Sequence, residues 1–148
     1  LIEWSQGAIL HNFSSSAGAP DAPTNRPSSP EQKRRLYVTG LMVDLETTLL
    51  NISRVTESGG TYHKAMVDRS NKVRMKVDAV LSAVAIAELS PAIDALPGKV
   101  DISTSISADV PASLGVATRA FLAAHDGSGL AALDGLMSSQ YKGSPYGN

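Results

Sequence analysis

At 148 residues the chain is sized for one domain, or for one domain with an arm. Its 13 Lys+Arg against 14 Asp+Glu leave a formal charge of −1, which excludes polyanion binding driven by bulk charge. With no cysteine, disulfide scaffolds, thiolate metal sites and thiol catalysis are excluded, and no apolar run is long enough to span a membrane.

The first stretch reads as an arm, residues 1–29. Leu1-Ile2-Glu3-Trp4 carries no signal-peptide pattern, lacking a basic stretch and a long apolar core. Six bulky apolar residues stand among the first 13: Leu1, Ile2, Trp4, Ile9, Leu10 and Phe13. Residues 14–30 follow with four prolines and no large apolar side chain, the composition of an extended polyproline-II spacer. An apolar tip on a polar tether is expected to dock on a neighbouring subunit, or to fold back on its own domain.

A helical domain over 30–141 comes next. Ser29-Pro30-Glu31-Gln32 is a start signal: Ser29 as N-cap, Pro30 in the first turn, and Gln32 completing a capping box. Val38, Leu41, Leu45, Thr48, Ile52 and Val55 form a seam at near-heptad spacing, widened by Met42 and Leu49. The helix is expected to stop at Ser58-Gly59-Gly60. A second seam of Met66, Ser70, Val73, Val77, Val80, Val84 and Ala87 predicts a helix from Tyr62 to Leu89, ended by Ser90-Pro91. Both helices would be about 28 residues, or about 42 Å, long. The fold class is therefore mainly α: a long antiparallel helical hairpin, with two or three shorter helices covering it.

The second half supplies those coverings. Ser90-Pro91 opens a short helix to Leu96, closed by Pro97-Gly98. Strict alternation of Val100, Ile102, Thr104 and Ile106 predicts one isolated strand-like segment, lying over the helices or pairing with another strand. A helix from Val110 to Ala124, capped by Asp109, presents Leu114, Ala117, Phe121 and Ala124. After a turn at His125-Asp126-Gly127-Ser128-Gly129, a last helix runs to Tyr141 with Leu130, Leu133, Leu136 and Met137 apolar. Residues 142–148 form a polar tail.

Charge is uneven: ten basic and seven acidic residues among 1–76, three basic and seven acidic after that. Such asymmetry favours head-to-tail contacts between copies. Arg69, Lys72 and Lys76 fall on one helical stripe and offer a nucleic-acid backbone contact; the plainer reading is a solvated face balanced by Asp68–Lys72 and Arg74–Asp78 pairs. Lys33-Arg34-Arg35 lies in the first turns of a helix, where basic charge opposes the helix dipole. So placed, it hints at an external anion or an acidic partner surface.

Catalytic constellations are not apparent. His11, His63 and His125 have no companion at metal-ligand spacing, and His63 reads as a surface residue. His125, Asp126 and Ser128 are the residue types of a hydrolase triad, but lie too close in sequence for its geometry. Asn12-Phe13-Ser14 and Asn51-Ile52-Ser53 match the N-glycosylation pattern, the latter inside a predicted helix. No cofactor or metal is expected. The expectation is a non-enzymatic assembly subunit (a viral coat, filament or shell-associated protein, placing it in a virion or other particle) whose partners are its own copies or other subunits. The alternatives are a packaging protein binding nucleic acid through Lys33, Arg34, Arg35, Arg69, Lys72 and Lys76, and an adaptor docking one protein partner.

Overall fold

Ser29 sets the start of the first helix. Its hydroxyl accepts the Gln32 backbone N–H at 3.2 Å, and Pro30 occupies the first turn, where a missing N–H costs nothing. The structure, a computed structural model, describes residues 28–137. Among them the protein is mainly helical: α1 (Pro30–Ser53), α2 (Thr61–Ala83), α3 (Ser90–Asp94), α4 (Asp109–Ala124) and a closing 3-10 helix (Ser128–Gly135). Of the arm expected at 1–29, residues 1–27 lie outside the described residues, as do 138–141 of the expected last helix and the tail at 142–148.

Helix α1 packs against α2, against α4 and against the 3-10 helix, and the short α3 packs against α4. Its seam residues Val38, Leu41, Leu45, Thr48 and Ile52 are all buried, and so are Met42 and Leu49, which turn the seam into a broad face. Thr48 is tolerated there because its hydroxyl bonds back to the Asp44 carbonyl at 2.6 Å. From α2 come Val67, Ser70, Val73, Val77 and Val80, and from α4 come Leu114, Ala117 and Phe121. Ala124, expected on that apolar face, is exposed.

Both long helices end earlier than their seams suggest. Helix α1 stops at Ser53, where the Ser53 hydroxyl takes the Leu50 carbonyl at 2.8 Å and the β-branched pair Val55-Thr56 follows. Gly59 still takes the left-handed conformation, φ +77°, but within the connection rather than at the helix end. Helix α2 stops at Ala83 because Val84 is extended (φ −149°, ψ 131°). Leaving the helix there lets Ile86 and Leu89 turn into the core, where both are fully buried, while Ala87 is exposed. Two such side chains stabilise by about 1.5–3 kcal/mol each, more than a further turn of helix.

No strand occurs among the described residues. The segment 100–107 alternates in sequence, but Asp101 makes it a turn: its carboxylate accepts the Ser103 N–H at 2.7 Å and hydroxyl at 2.6 Å, and its own N–H donates to Thr104 Oγ1 at 2.9 Å. Val100 and Ile106 are buried, and Ile102 is 46% exposed. The Asn71 side chain stands in for a paired strand, donating to the Val100 carbonyl at 2.8 Å and accepting its N–H at 3.0 Å.

The last helix is 3-10 rather than α. Leu130 and Leu133, three apart, eclipse on one side of a three-residue turn and are both buried. Gly127 precedes it at φ +99°, with its Cα so close to α1 that an added Cβ would fall on the Glu31 carbonyl group.

Three substitutions test this packing by urea denaturation. Gly127→Ala is expected to cost about 2–4 kcal/mol, since it adds a backbone clash to a left-handed conformation. Gly59→Ala, left-handed but in open space, should cost only about 1–2 kcal/mol. Phe121→Ala should cost about 3–5 kcal/mol by emptying the centre of the core.

Candidate functional site

The basic cluster at the start of α1 finds its anions inside the chain. Arg34 is buried, and its guanidinium grips Asp134 of the 3-10 helix through Nε and Nη2, both at 2.7 Å. This fork geometry is the strong form of an arginine–carboxylate contact. The hydrogen bonds hold the Asp134 carboxyl below its ordinary range and raise the Arg34 guanidinium further. Arg35 Nη2 donates to the Leu122 carbonyl at 2.6 Å. Leu122 lies in the last turn of α4, where carbonyls lack helical partners and no basic residue of α4 itself is present. Lys33 is half-exposed. The dipole mismatch seen in sequence therefore has an internal answer for two of the three residues.

The second basic group behaves similarly. Arg69 of α2 takes both oxygens of Asp44 on α1, at 2.6 and 2.8 Å. Arg74 takes Asp78 at 2.8 Å, the i,i+4 pair expected from the sequence. Lys72 stands exposed, and Lys76 is half-buried with a partner of its own. Arg69, Lys72 and Lys76 border an open depression of about 420 Å³, but Asp44 and Asp68 border it too. The two basic groups are not brought into one patch: one clamps α1 to the 3-10 helix and α4, the other clamps α1 to α2.

The histidines do not assemble a catalytic site among the described residues. His63 is buried, a correction to its reading as a surface residue; at the third position of α2 it reaches back so that Nδ1 accepts the Gly59 N–H at 3.1 Å. His125 stacks on Phe121, ring centroids 5.0 Å apart, and places Nε2 2.9 Å from Glu88 Oε2. It thus turns away from Ser128, whose N–H and hydroxyl instead close an Asx turn on Asp126 at 2.8 and 2.7 Å. The triad residue types are turn chemistry. No group of three metal-ligating side chains occurs among the described residues. Asn51, of the second N-glycosylation match, is half-buried on α1. His11 and the arm residues Leu1, Ile2, Trp4, Ile9, Leu10 and Phe13 lie outside the described residues.

Some large apolar side chains also stand exposed on the helices. On α1, Leu36 and Val43 are 38% and 36% exposed, and on α4 Val116 is 60% exposed. Asp134, Asp44, Glu88 and Leu122, which complete the contacts above, have no local sequence signal: each acts on a residue 25 or more positions away. Comparison with protein-family models, curated proteins and solved structures returns no match.

The carboxylates give the fold a definite acid dependence. Glu31 is held low by its own backbone N–H and the Ser29 hydroxyl, Glu88 by His125, Asp101 by Ser103, Asp126 by Ser128 and Asp134 by Arg34. Each folded-state pKa lies below its ordinary value of 3.8 or 4.5. Their stabilisation is complete above those values and is lost as pH falls through the lower folded ones. Urea midpoints measured from pH 7 to pH 2.5 should therefore show this contribution held down to about pH 5 and lost below about pH 4. Asp134→Asn should lower the midpoint at pH 7 and flatten the acid limb.

Proposed function

We propose that this chain is a non-enzymatic assembly subunit, of the kind that builds a coat, a filament or a shell, and that its arm docks on neighbouring subunits. The observation that carries the reading is the set of aliphatic side chains, Leu36, Val43 and Val116, left exposed on the two helices that frame the core. The arm supplies a complement: six bulky apolar residues within the first 13, set on a spacer that cannot build a core of its own. In this reading α1 and α2 form an antiparallel hairpin, supported by the Asp44–Arg69 pair, whose members are nearly equidistant from the connection at 54–60. The hairpin would be the rigid frame, and the arm the connector. The uneven charge of the two halves is partly used within the chain, at Arg34–Asp134, which shifts the weight of assembly from charge to apolar contact.

A packaging protein binding nucleic acid is the second reading, favoured by the exposed Lys72 beside Lys76 and Arg69 on one stripe of α2. It is weakened by the Asp44 carboxylate that Arg69 already holds.

Light scattering behind a sizing column separates them. At moderate salt the full chain should run as a multimer, and deletion of the arm up to Ser28 should reduce it to monomers. A monomeric full chain would remove the assembly reading. If nucleic acid binds, affinity should fall steeply between about 50 and 200 mM salt, and Lys72→Glu with Lys76→Glu should abolish it without loss of helix; binding unchanged by those substitutions would remove that reading.

A further inference from the structure

We infer that Asp134-Gly135 is a site of spontaneous isoaspartate formation, and that the grip of Arg34 on Asp134 sets its rate. This modification is independent of the assembly reading. An aspartate followed by glycine can cyclise, because glycine has no Cβ to hinder its own nitrogen. The glycine nitrogen gives up its proton and attacks the aspartate Cγ. A C–N bond forms, one carboxyl oxygen leaves as water, and a five-membered imide results. Water then adds to either imide carbonyl. One addition restores aspartate; the other gives isoaspartate, in which the backbone runs through the former side chain. The sum is an isomerisation, with water as the sole co-reactant.

The sequence contains two such pairs, Asp126-Gly127 and Asp134-Gly135, and no Asn-Gly. They stand in opposite surroundings. Gly127 is buried at φ +99°, and the place of a Cβ there is already filled by the Glu31 carbonyl group. Ring closure brings Cγ onto the glycine nitrogen, and isoaspartate lengthens the backbone by one carbon. A turn pressed this closely on α1 has room for neither change. Asp126 is also held by Ser128, whose N–H and hydroxyl donate to its carboxylate at 2.8 and 2.7 Å.

Gly135 is exposed, and a Cβ there would meet nothing within 4 Å. It is the last residue of the 3-10 helix, a form whose hydrogen bonds have poorer geometry than those of an α-helix. The Asp134 side chain is 52% exposed, so water reaches it. Its restraint is Arg34, which donates to both carboxylate oxygens at 2.7 Å. That grip opposes cyclisation in two ways. It removes the torsional freedom through which Cγ approaches the nitrogen. It also keeps the carboxyl ionised, whereas the oxygen leaves as water from the protonated form. Isoaspartate at 134 would carry its carboxylate one carbon nearer a lengthened backbone. The fork geometry would be lost, and with it the tie between α1 and the 3-10 helix.

The test is incubation of the full chain in neutral buffer at physiological temperature, with isoaspartate located by mass spectrometry of its peptides. In concentrated urea both pairs should isomerise at similar rates. In buffer, isoaspartate should accumulate slowly at 134 and not at 126. Arg34→Met removes the donors and keeps most of the side-chain volume. It should raise the rate at 134 about tenfold or more, the order expected when a charge-assisted hydrogen bond is lost, and leave 126 unchanged. Site 126 thus reports on the fold within the same sample. Should both sites rise in Arg34→Met, Arg34→Lys takes its place, keeping a charge without the fork. A rise at both sites there too overturns the gating by Arg34, as does an unchanged rate at 134 in Arg34→Met. Equal rates at 126 and 134 in buffer overturn the distinction between the pairs. Isoaspartate at 134 in urea, but in neither the unaltered chain nor Arg34→Met in buffer, overturns the site.

Discussion

Helix α1 has to bury two sides at once, and the rest of the structure follows from that demand. One side meets α2 and the other meets α4, with the 3-10 helix closing over its first turns. A seam alone would serve one partner. The additional burial of Met42 and Leu49 beside Leu41, Leu45 and Ile52 gives α1 a face wide enough for two. The remaining elements take their places around it. Helix α2 fills one side and α4 the other, and the segment from Ile86 to Ile106 crosses between them with Leu89, Ile93 and Val100 turned inward.

Charged side chains mark the edges of these contacts rather than a surface for a ligand. Arg34 holds Asp134, Arg35 the end of α4, and Arg69 holds Asp44. Removing one partner of such a pair leaves a half-buried charge without its hydrogen bonds, so the pairs discriminate between correct and incorrect docking of helices even where their net contribution to stability is small. The glycine at 127 works with them. It lets the chain pass over the Glu31 backbone at close range, which brings Asp134 within reach of Arg34.

Arg34, Arg35 and Arg69 are engaged within the chain, and the outward surface of α1 and α4 carries Leu36, Val43 and Val116 beside the exposed Arg119. In the proposed assembly reading, contacts between subunits form by burial of such side chains. Apolar association needs no matched charges and loses little with salt, whereas association through the basic residues would fade as salt screens it.

By itself the sequence determined the start of α1, its buried seam, the mainly helical class and the turn at 125–129, because each depends on neighbours within a few residues: a hydroxyl three residues from an N–H, an apolar stripe, a glycine free to take positive φ. Even the Arg74–Asp78 pair is of this kind. Tertiary structure decided where the long helices stop, since Ile86 and Leu89 gain more by entering the core than by continuing α2. It decided that Val100 to Ile106 is no strand, because Asp101 and Asn71 offered its backbone closer partners than any second strand. It also decided the fate of the basic residues. Lys33-Arg34-Arg35 and Arg69 look alike in sequence as surface cations. Only folding brings Asp134, the Leu122 carbonyl and Asp44 to them, since an ion pair depends on distance in space and leaves no periodic trace along the chain.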